Sequence, residues 1–291
     1  MKQFFTALML LFLINSITRA DELVIRHISP QGSQDQRSLY VIDLLHLALK
    51  KTAETDGPYR LEKINRKMFQ GRAIKQLAAG RLVDVVWTMT SKEREELLLP
   101  IRIPLLKGLL GHRIFIIRAE DKEKFSMIST LDDLKKLTAG QGHDWPDSEI
   151  LRANGIKVIS SPTYKGLFSM LEMERFDYFP RGINEPWAEV DAHKDKQFVV
   201  EESLLIQYPA PQYFFVNKHN TQLALRLEKG LRLAIKDGSF DRLFYHHPAN
   251  REIFESANIE HRKIFRFKNP LLPVETPLQE KSLWYTPQFE K

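Results

Sequence analysis

Hydroxyl and guanidinium side chains stand close together in one stretch of the sequence, WTMTSKER. The apolar, β-branched residues at 83–86 come directly before it and predict a buried strand, and Thr90–Glu93 fits a capping box, which predicts a loop and then a helix start. Hydroxyl groups, unpaired backbone N–H groups at a helix start and a guanidinium one turn inside the helix together suit a small anion. The candidate anion-binding residues are therefore Thr88, Thr90 and Arg94. The alternative is a buried strand followed by a solvated, charged helix without any site.

A signal peptide is predicted at residues 1–20. Lys2 provides a positive start, the residues at 4–14 are almost wholly apolar, and Ala20 ends a short stretch that suits a signal peptidase. The apolar core is too short to cross a bilayer comfortably, which disfavours the alternative of an uncleaved anchor. We therefore expect an exported mature chain that starts at Asp21.

The composition favours a soluble, exported globular protein. Its 43% apolar content is typical of a packed core, and the absence of cysteine excludes a lipobox, thiol catalysis and cysteinyl metal sites. The formal net charge is +6, and two of the positive charges, Lys2 and Arg19, belong to the predicted leader. The charges of both signs are interspersed along the chain. Nucleic acid is therefore an unfavourable partner, because binding to phosphates needs clustered positive charge. We expect a periplasmic monomer that is not lipid-anchored.

Strand and helix patterns alternate along the chain. The first hundred residues predict a β-α-β-α-β unit with a parallel sheet. After a long apolar run at 108–117, a second α/β unit has a capped helix start at Thr130, a glycine-bearing loop at 140–147 and a strand at 176–179 that breaks at 180–185. The return of the chain is predicted by two strands and a helix, at 198–200, 212–216 and 221–236.

An ordered set of motifs covers most of the chain, roughly from Leu23 to Tyr245. The motifs are LAAGRLVDVV at 77–86, TMTSKER at 88–94, IPL at 103–105, STLDDL at 129–134, GQG at 140–142 and RFD at 175–177. In this order they resemble the periplasmic solute-binding proteins of family 3, which typically serve amino-acid ABC transporters. The resemblance implies an α/β fold of two lobes, the type 2 venus-flytrap architecture, with two crossover strands near 111–118 and 205–216.

The same layout sets the expected lobe boundaries. Lobe 1 comprises residues 21–113 and 210–291, and lobe 2 comprises residues 114–209. Prolines dominate after Lys268 and exclude a helix there, so the end of the chain is predicted to be an extended tail over lobe 1. Large apolar residues in this tail are atypical of disorder.

The resemblance also implies which residues contact the ligand. In that family, hydroxyl groups and the arginine of the segment like TMTSKER hold the ligand carboxylate, and these correspond to Thr88, Thr90 and Arg94. The glycine loop of the second lobe adds further contacts, which here correspond to Gln141, Gly142 and His143.

The family's acidic residue for an α-ammonium group has no direct match. Its position falls at Arg181 or Gly182, so that Glu185 or Asp144 would have to replace it. We hypothesise that Arg94 and Arg181, one from each lobe, face each other across the cleft and hold an anionic ligand, such as one with two anionic groups. The alternative is that Arg181 turns outward and pairs with a surface carboxylate such as Glu185.

Aromatic and histidine residues complete the set of candidates. Trp87 and Trp145 are expected to line the cleft, with ordinary packing as the alternative, whereas packing is favoured for Trp187. His143 and Asp144 do not predict a metal site, because adjacent side chains point apart and no third ligand stands at metal spacing. We expect neither a metal nor a cofactor.

A passive binding role is the function that these features favour. We expect a periplasmic solute-binding protein that captures a small polar ligand, anionic or amino-acid-like, for an ABC-type permease in the inner membrane. One alternative is an orphan or sensory binding protein that reports to a membrane sensor. The other is an enzyme of the same fold, similar to dehydratases, for which His143 and Glu185 are the available acid–base pair.

Overall fold

The computed structural model of this protein describes residues 22–28, 37–66 and 68–286. The predicted signal peptide lies outside these residues. Within them, no helix has both the length and the apolar character needed to cross a membrane.

The first of two main sheets has five strands in the order β2-β1-β3-β11-β4. Strands β1 to β3 are parallel, and β11 lies antiparallel between β3 and β4. Strand β3 is buried along its whole length, as its central place requires. The strands are β1 (Leu23–His27), β2 (Tyr59–Lys63), β3 (Val85–Met89), β4 (Leu98–Ile101) and β11 (Gln212–Asn217).

Among the residues that the structure describes, six α-helices pack with this first sheet, and together they form lobe 1. The long helices α1 and α9 pack so closely that a side chain at Gly230 would overlap the backbone of Ala48. The helices are α1 (Arg37–Asp56), α2 (Gln70–Ala78), α3 (Lys92–Leu97), α9 (Thr221–Lys236), α10 (Ser239–His246) and α11 (Arg251–Glu255).

Lobe 2 is built around the second sheet, in the order β12-β10-β5-β8 with β9 also on β5, and a two-stranded sheet of β6 and β7. A bridge between Ala139 and Tyr178 joins the small sheet to this layer. The strands are β5 (His112–Arg118), β6 (Thr138–Gly142), β7 (Lys157–Ser161), β8 (Phe179–Gly182), β9 (Phe198–Val200), β10 (Leu204–Gln207) and β12 (Lys263–Arg266). The helices are α4 (Lys122–Ser126), α5 (Leu131–Lys136), α6 (Pro146–Ala153), α7 (Tyr164–Glu172) and α8 (Pro186–Asp191).

The chain passes from lobe 1 to lobe 2 between β4 and β5 and returns between β10 and β11, as predicted. At this hinge the two segments touch through their backbones. The N–H of Tyr208 donates to the carbonyl of Gly111 over 3.0 Å, and a side chain at Gly111 would overlap the carbonyl of Tyr208. Glycine is therefore required at position 111 by the close approach of the two connections.

The C-terminal part of the chain departs from the expected lobe boundaries. All of 210–291 was assigned to lobe 1, but β12 pairs in parallel with β10 of lobe 2. The tail then returns, since the backbone N–H of Lys92 donates to Leu271 and that of Tyr285 to Lys107. The chain thus enters lobe 2 a second time, because β12 adds a strand to the edge of the second sheet. The sequence does not predict this strand, because four residues are too few for a recognisable strand pattern.

Three local predictions are corrected by strand pairing. The expected loop after residue 86 is strand, because β11 pairs with β3 as far as Met89. The residues Gly140–Gly142, expected in a loop, and Pro180–Gly182, expected at a break, lie within β6 and β8. The capping box predicted at Thr90–Glu93 does not form, because Ser91 is the N-cap of α3 and accepts from the N–H of Arg94. The capped start predicted at Thr130 is confirmed.

Candidate functional site

A cavity of about 150 Å³ lies between the two lobes. Its lobe 1 wall includes Met68, Gln70, Trp87, Thr88, Leu106 and Gln212. Its lobe 2 wall includes Trp145, Pro146, Asp147, Arg181, Asn184 and Glu185, and Arg113 borders it beside the hinge. A cavity of this volume holds a ligand of about the size of benzene. The lining is mixed, with apolar surface around a few charged and hydrogen-bonding groups, as is usual for small-molecule sites.

Arg94 supports the polar part of the lobe 1 wall from behind. Its Nη1 donates to Oγ1 of Thr88 over 2.6 Å and to the carbonyl of Met89 over 2.8 Å. Its Nη2 donates to Oε1 of Gln70 over 2.6 Å and to the carbonyl of Asp144 over 3.1 Å. All four acceptors are neutral oxygens, and the ion pairs of the described residues do not include Arg94. Burial lowers the pKa of Arg94 to about 10.

These hydrogen bonds determine which polar groups the wall can offer to a ligand. Oγ1 of Thr88 already accepts from Arg94, so its O–H group is the part that remains to donate. Oε1 of Gln70 is likewise used, which leaves the Nε2 amide group as a donor. Two hydrogen-bond donors backed by one buried cation make this wall suitable for an anionic group.

The lobe 2 wall carries a chain of alternating charges instead. Arg113 lies 2.6 Å from Oδ1 of Asp147 and 3.9 Å from Oε2 of Glu185. Arg181 lies 3.0 Å from Oε2 of Glu185 and forms a two-pronged pair with Glu189 at 2.6 and 2.7 Å. Three carboxylates thus hold two guanidinium groups, and Glu185 has the most exposed side chain of the five, at 12%.

The two arginines of this chain are held in their charged form. Burial alone would lower the pKa of Arg181, but Glu185 and Glu189 outweigh it and raise that pKa. The same balance, with Asp147 as the main partner, raises the pKa of Arg113. Arg181 also lies against aromatic rings, 5.0 Å from the centre of Trp145 and 4.7 Å from that of Phe179. These contacts leave Arg181 with little capacity for a further anion.

Tyr208 links the charged wall to the hinge. Its hydroxyl donates to Oδ1 of Asp147 and accepts from Nε of Arg113 over 3.0 Å. Burial raises the pKa of Tyr208 well above its ordinary value, so the hydroxyl remains a donor. The end of β10, the start of β5 and the start of α6 are thereby joined by one buried polar cluster.

The predicted ligand residues fall into two groups. Five of them line the cavity: Trp87, Thr88, Trp145, Arg181 and Glu185. The others lie outside its lining. The hydroxyl of Thr90 donates to Glu95, the amide of Gln141 donates to the carbonyl of Pro180, and the carbonyl of Gly142 accepts from Ser148. Arg94 lies behind Thr88, and His143 has a largely exposed side chain.

Six polar residues of the lining are not predicted from the sequence, namely Ser38, Gln70, Arg113, Asp147, Asn184 and Gln212. Arg113 is the only charged residue in the apolar run GLLGHRIFII, and a charge in a buried strand is an available signal of a polar site. Asp147 follows Trp145-Pro146 at the start of α6. Gln70 carries no such signal, because its role depends on the tertiary contact with Arg94.

The acid–base pair named for the enzyme alternative is not assembled in the cavity, since Glu185 lines it and His143 does not. Trp187 is partly buried against the core. In the part of the chain that the structure describes, no three histidine, aspartate or glutamate residues are grouped as metal ligands would be.

No protein-family model matches the sequence, and no curated protein matches it significantly. Solved structures do match. An ancestral arginine-binding protein bound to arginine has 20% identity and a TM-score of 0.55, over 76% of this chain and 96% of that one. An amino acid ABC transporter substrate-binding protein from Streptococcus pneumoniae bound to L-arginine has 15% identity and a TM-score of 0.55, over 79% and 94%.

A histidine kinase sensor domain with similarity to periplasmic binding proteins matches with 18% identity and a TM-score of 0.55, over 77% of this chain and 95% of that one. At such identities the likeness shows a shared fold. The predicted α/β architecture of two lobes is therefore confirmed.

Proposed function

From the two-lobed periplasmic-binding-protein fold of this chain, we propose that it is a periplasmic solute-binding protein that holds a small amino-acid-like zwitterion between its lobes. The observation that carries the proposal is the cavity between the lobes, whose two walls differ in electrical character. Lobe 1 offers hydrogen-bond donors backed by a cation, and lobe 2 offers carboxylates.

The ligand carboxylate is assigned to the lobe 1 wall. The Thr88 hydroxyl and the Gln70 amide are donors, and Arg94 behind them is a buried cation whose hydrogen bonds within the described part of the chain go to neutral oxygens. An anion in front of these donors would lower the cost of burying the Arg94 charge, which couples ligand binding to the electrostatics of lobe 1. In this arrangement Arg94 acts through Thr88 and Gln70.

The ligand ammonium group is assigned to the lobe 2 wall. Glu185 replaces the acid that the related binding proteins are expected to have, and Asp147 lies beside it across Arg113. Trp87 and Trp145 provide apolar surface for the rest of the ligand. The alternative of two arginines that clamp a dianion is disfavoured, because Glu185 and Glu189 already hold Arg181.

The remaining predictions on sites and partners belong to this proposal. Thr90, Gln141, Gly142 and His143 lie outside the cavity lining and would act only by shaping or closing the cleft. We propose that the chain binds without turnover, as a monomer, and delivers its ligand to an ABC permease of the inner membrane. A leader at residues 1–20 would direct it to the periplasm.

A thermal-shift screen of the mature protein with matched compounds tests the proposal. Each set holds an L-amino acid, the amine that lacks its carboxylate and the acid that lacks its ammonium group. A ligand raises the melting temperature by mass action. We expect a clear shift for at least one amino acid and much smaller shifts for its two analogues at equal concentration. A full shift with the acid that lacks the ammonium group contradicts the proposal. The absence of a shift with every amino acid of the panel contradicts it as well.

A sensory role is the second candidate, favoured by the similarity to a histidine kinase sensor domain. Uptake of the labelled ligand by cells that lack the gene separates the two roles. Loss of uptake supports delivery to a permease. Unchanged uptake with a lost transcriptional response to the ligand supports a sensor.

A further inference from the structure

Asp144 of lobe 2 reaches across the cleft to lobe 1 through two separate groups. Its Oδ2 accepts from the backbone N–H of Gly71, in the first turn of α2, over 3.0 Å. Its carbonyl oxygen accepts from Nη2 of Arg94 over 3.1 Å. We infer that Asp144 is a latch that holds the two lobes closed in the ligand-free protein. This inference does not depend on the identity of the ligand.

The Asp144 carboxylate accepts a hydrogen bond from an N–H group at the start of helix α2 that has no acceptor within the helix. The first four N–H groups of a helix have no acceptor within it, and a negative charge is favoured beside them. Phe69, the N-cap of α2, provides no side-chain acceptor. The cap of this lobe 1 helix is therefore a carboxylate from lobe 2, and opening the cleft exposes the helix start.

The observed latch geometry also favours a residue without a side chain at position 71, because a side chain there would displace the Asp144 carboxylate. A Cβ atom at Gly71 would lie 2.9 Å from Oδ2 of Asp144, closer than such atoms approach in proteins. Glycine is less favourable than alanine in a helix, by up to about 1 kcal/mol in its interior, so alanine at this position of the first turn would favour α2 itself. The glycine thus permits the close approach of Asp144, although it lowers the stability of helix α2 itself.

The second contact ties the latch to the lobe 1 wall. Nη2 of Arg94 divides its two hydrogens between Asp144 and Gln70, which lines the cavity. The cavity and the latch exist together in the closed arrangement. A closed state favoured in advance binds a ligand more tightly, because less of the binding free energy is spent on closure.

Hydrogen exchange of the Gly71 amide in ligand-free protein tests the latch directly. We expect this amide to be protected in the wild type and to exchange about tenfold faster or more in Asp144→Ala, as the loss of a hydrogen bond to a charged group predicts. Equal exchange rates in the two proteins overturn the inference. Because no ligand is present, this result does not depend on whether the proposed function is right.

Asp133→Ala is the matched control. The Oδ2 of Asp133 accepts from the Thr130 N–H over 3.0 Å, but both residues belong to one helix start in lobe 2. This variant should speed exchange at Thr130 and leave Gly71 protected. Faster exchange at Gly71 in the control contradicts a specific latch.

Small-angle scattering of the ligand-free proteins gives the second measurement. The wild type should fit the closed arrangement, and both Asp144→Ala and Gly71→Ala should show a larger radius of gyration. Gly71→Ala is informative because its effect on α2 itself is stabilising. An open wild type, or two variants as compact as the wild type, overturns the inference.

Discussion

Three buried arginines surround the cavity, and they differ in what balances their charge. Arg113 and Arg181 pair with carboxylates, which raises the pKa of both groups despite their burial. Among the described residues, Arg94 donates to neutral oxygens only, with the carboxylates of Asp144, Asp147 and Glu93 farther away, and burial outweighs them and lowers its pKa. A buried cation without a direct ionic partner is costly, so Arg94 is the arginine whose environment most favours an anionic ligand group.

The candidate residues that sequence reasoning finds are those with a local motif. Thr88 and Arg94 stand in the segment TMTSKER, and their contact over six positions follows from a strand that leads into a short helix. The partners of Arg181 cannot be predicted in this way. Glu189 reaches it only because α8 folds back over the end of β8, which is a tertiary contact without a periodic pattern.

His112, at the start of β5, makes stability depend on pH. Burial, with a smaller effect from Arg113, lowers the pKa of His112 from 6.5 to about 4. The amide nitrogen of Gln207 can only donate, so Nε2 of His112 must accept at 2.8 Å, which requires the neutral ring. As the pH falls from 6.5 to about 4, His112 becomes protonated in the unfolded chain but stays neutral in the folded chain.

The free energy of unfolding should therefore fall through this window, by up to about 3 kcal/mol from His112. Denaturant unfolding at several pH values in this range measures the loss. His112→Gln should show a shallower dependence, because the contributions of the carboxylates are common to both proteins. Identical pH profiles for the two proteins contradict this account of His112.

Strand ends were the least predictable feature at the level of elements. Local composition predicts too early an end for β3 and places β6 and β8 partly in loops, because glycine, proline and polar residues are typical of strand breaks. Pairing with β11, β7 and β5 overrides these local preferences, since strand propensity depends on neighbours. Helix starts with side-chain caps, such as Thr130, were predictable because the cap is local.

The C-terminal tail is fixed to lobe 1 at Gly108. This residue has a φ of +80°, and a Cβ atom there would overlap the ring of Trp284. Gly238 has a similar φ of +75° with nothing within 4 Å of the position of a Cβ atom. Alanine at either position has the same backbone strain, but only alanine at 108 must displace the tail.

Gly108→Ala should therefore lower the free energy of unfolding by about 1–3 kcal/mol more than Gly238→Ala does, which is the usual cost of overpacking. Denaturant unfolding of the two variants measures the difference. Equal losses would mean that Trp284 does not hold the tail against lobe 1.

Across the whole molecule, the lobes are joined on several sides. The hinge strands touch at Gly111 and Tyr208, and Asp144 bridges the cleft. The tail leaves β12, contacts Asn154 of lobe 2 through Lys268 and then reaches α3 of lobe 1. The two-lobed order was predictable from alternating strands and helices, whereas the second visit to lobe 2 was not, because β12 is only four residues long.

The central claim is that a zwitterion lies between a donor wall backed by Arg94 and a carboxylate wall. Calorimetric titration of the wild type and Arg94→Ala tests it most directly, with the amino acid that gives the largest thermal shift and with the amine that lacks its carboxylate. Arg262→Ala is the matched control, since Arg262 is equally buried at 6% exposure and lies away from the cavity lining, where it donates to three backbone carbonyls and lies 3.5 Å from Oε2 of Glu201.

Arg94→Ala should weaken binding of the amino acid by about tenfold to a hundredfold more than binding of the amine. Loss of the contact with Asp144 affects both ligands alike, whereas only the amino acid has the carboxylate that Arg94 supports. Arg262→Ala should leave both affinities as in the wild type. If Arg94→Ala weakens the amino acid and the amine by the same factor, Arg94 does not sense the ligand carboxylate and the account of the site is wrong.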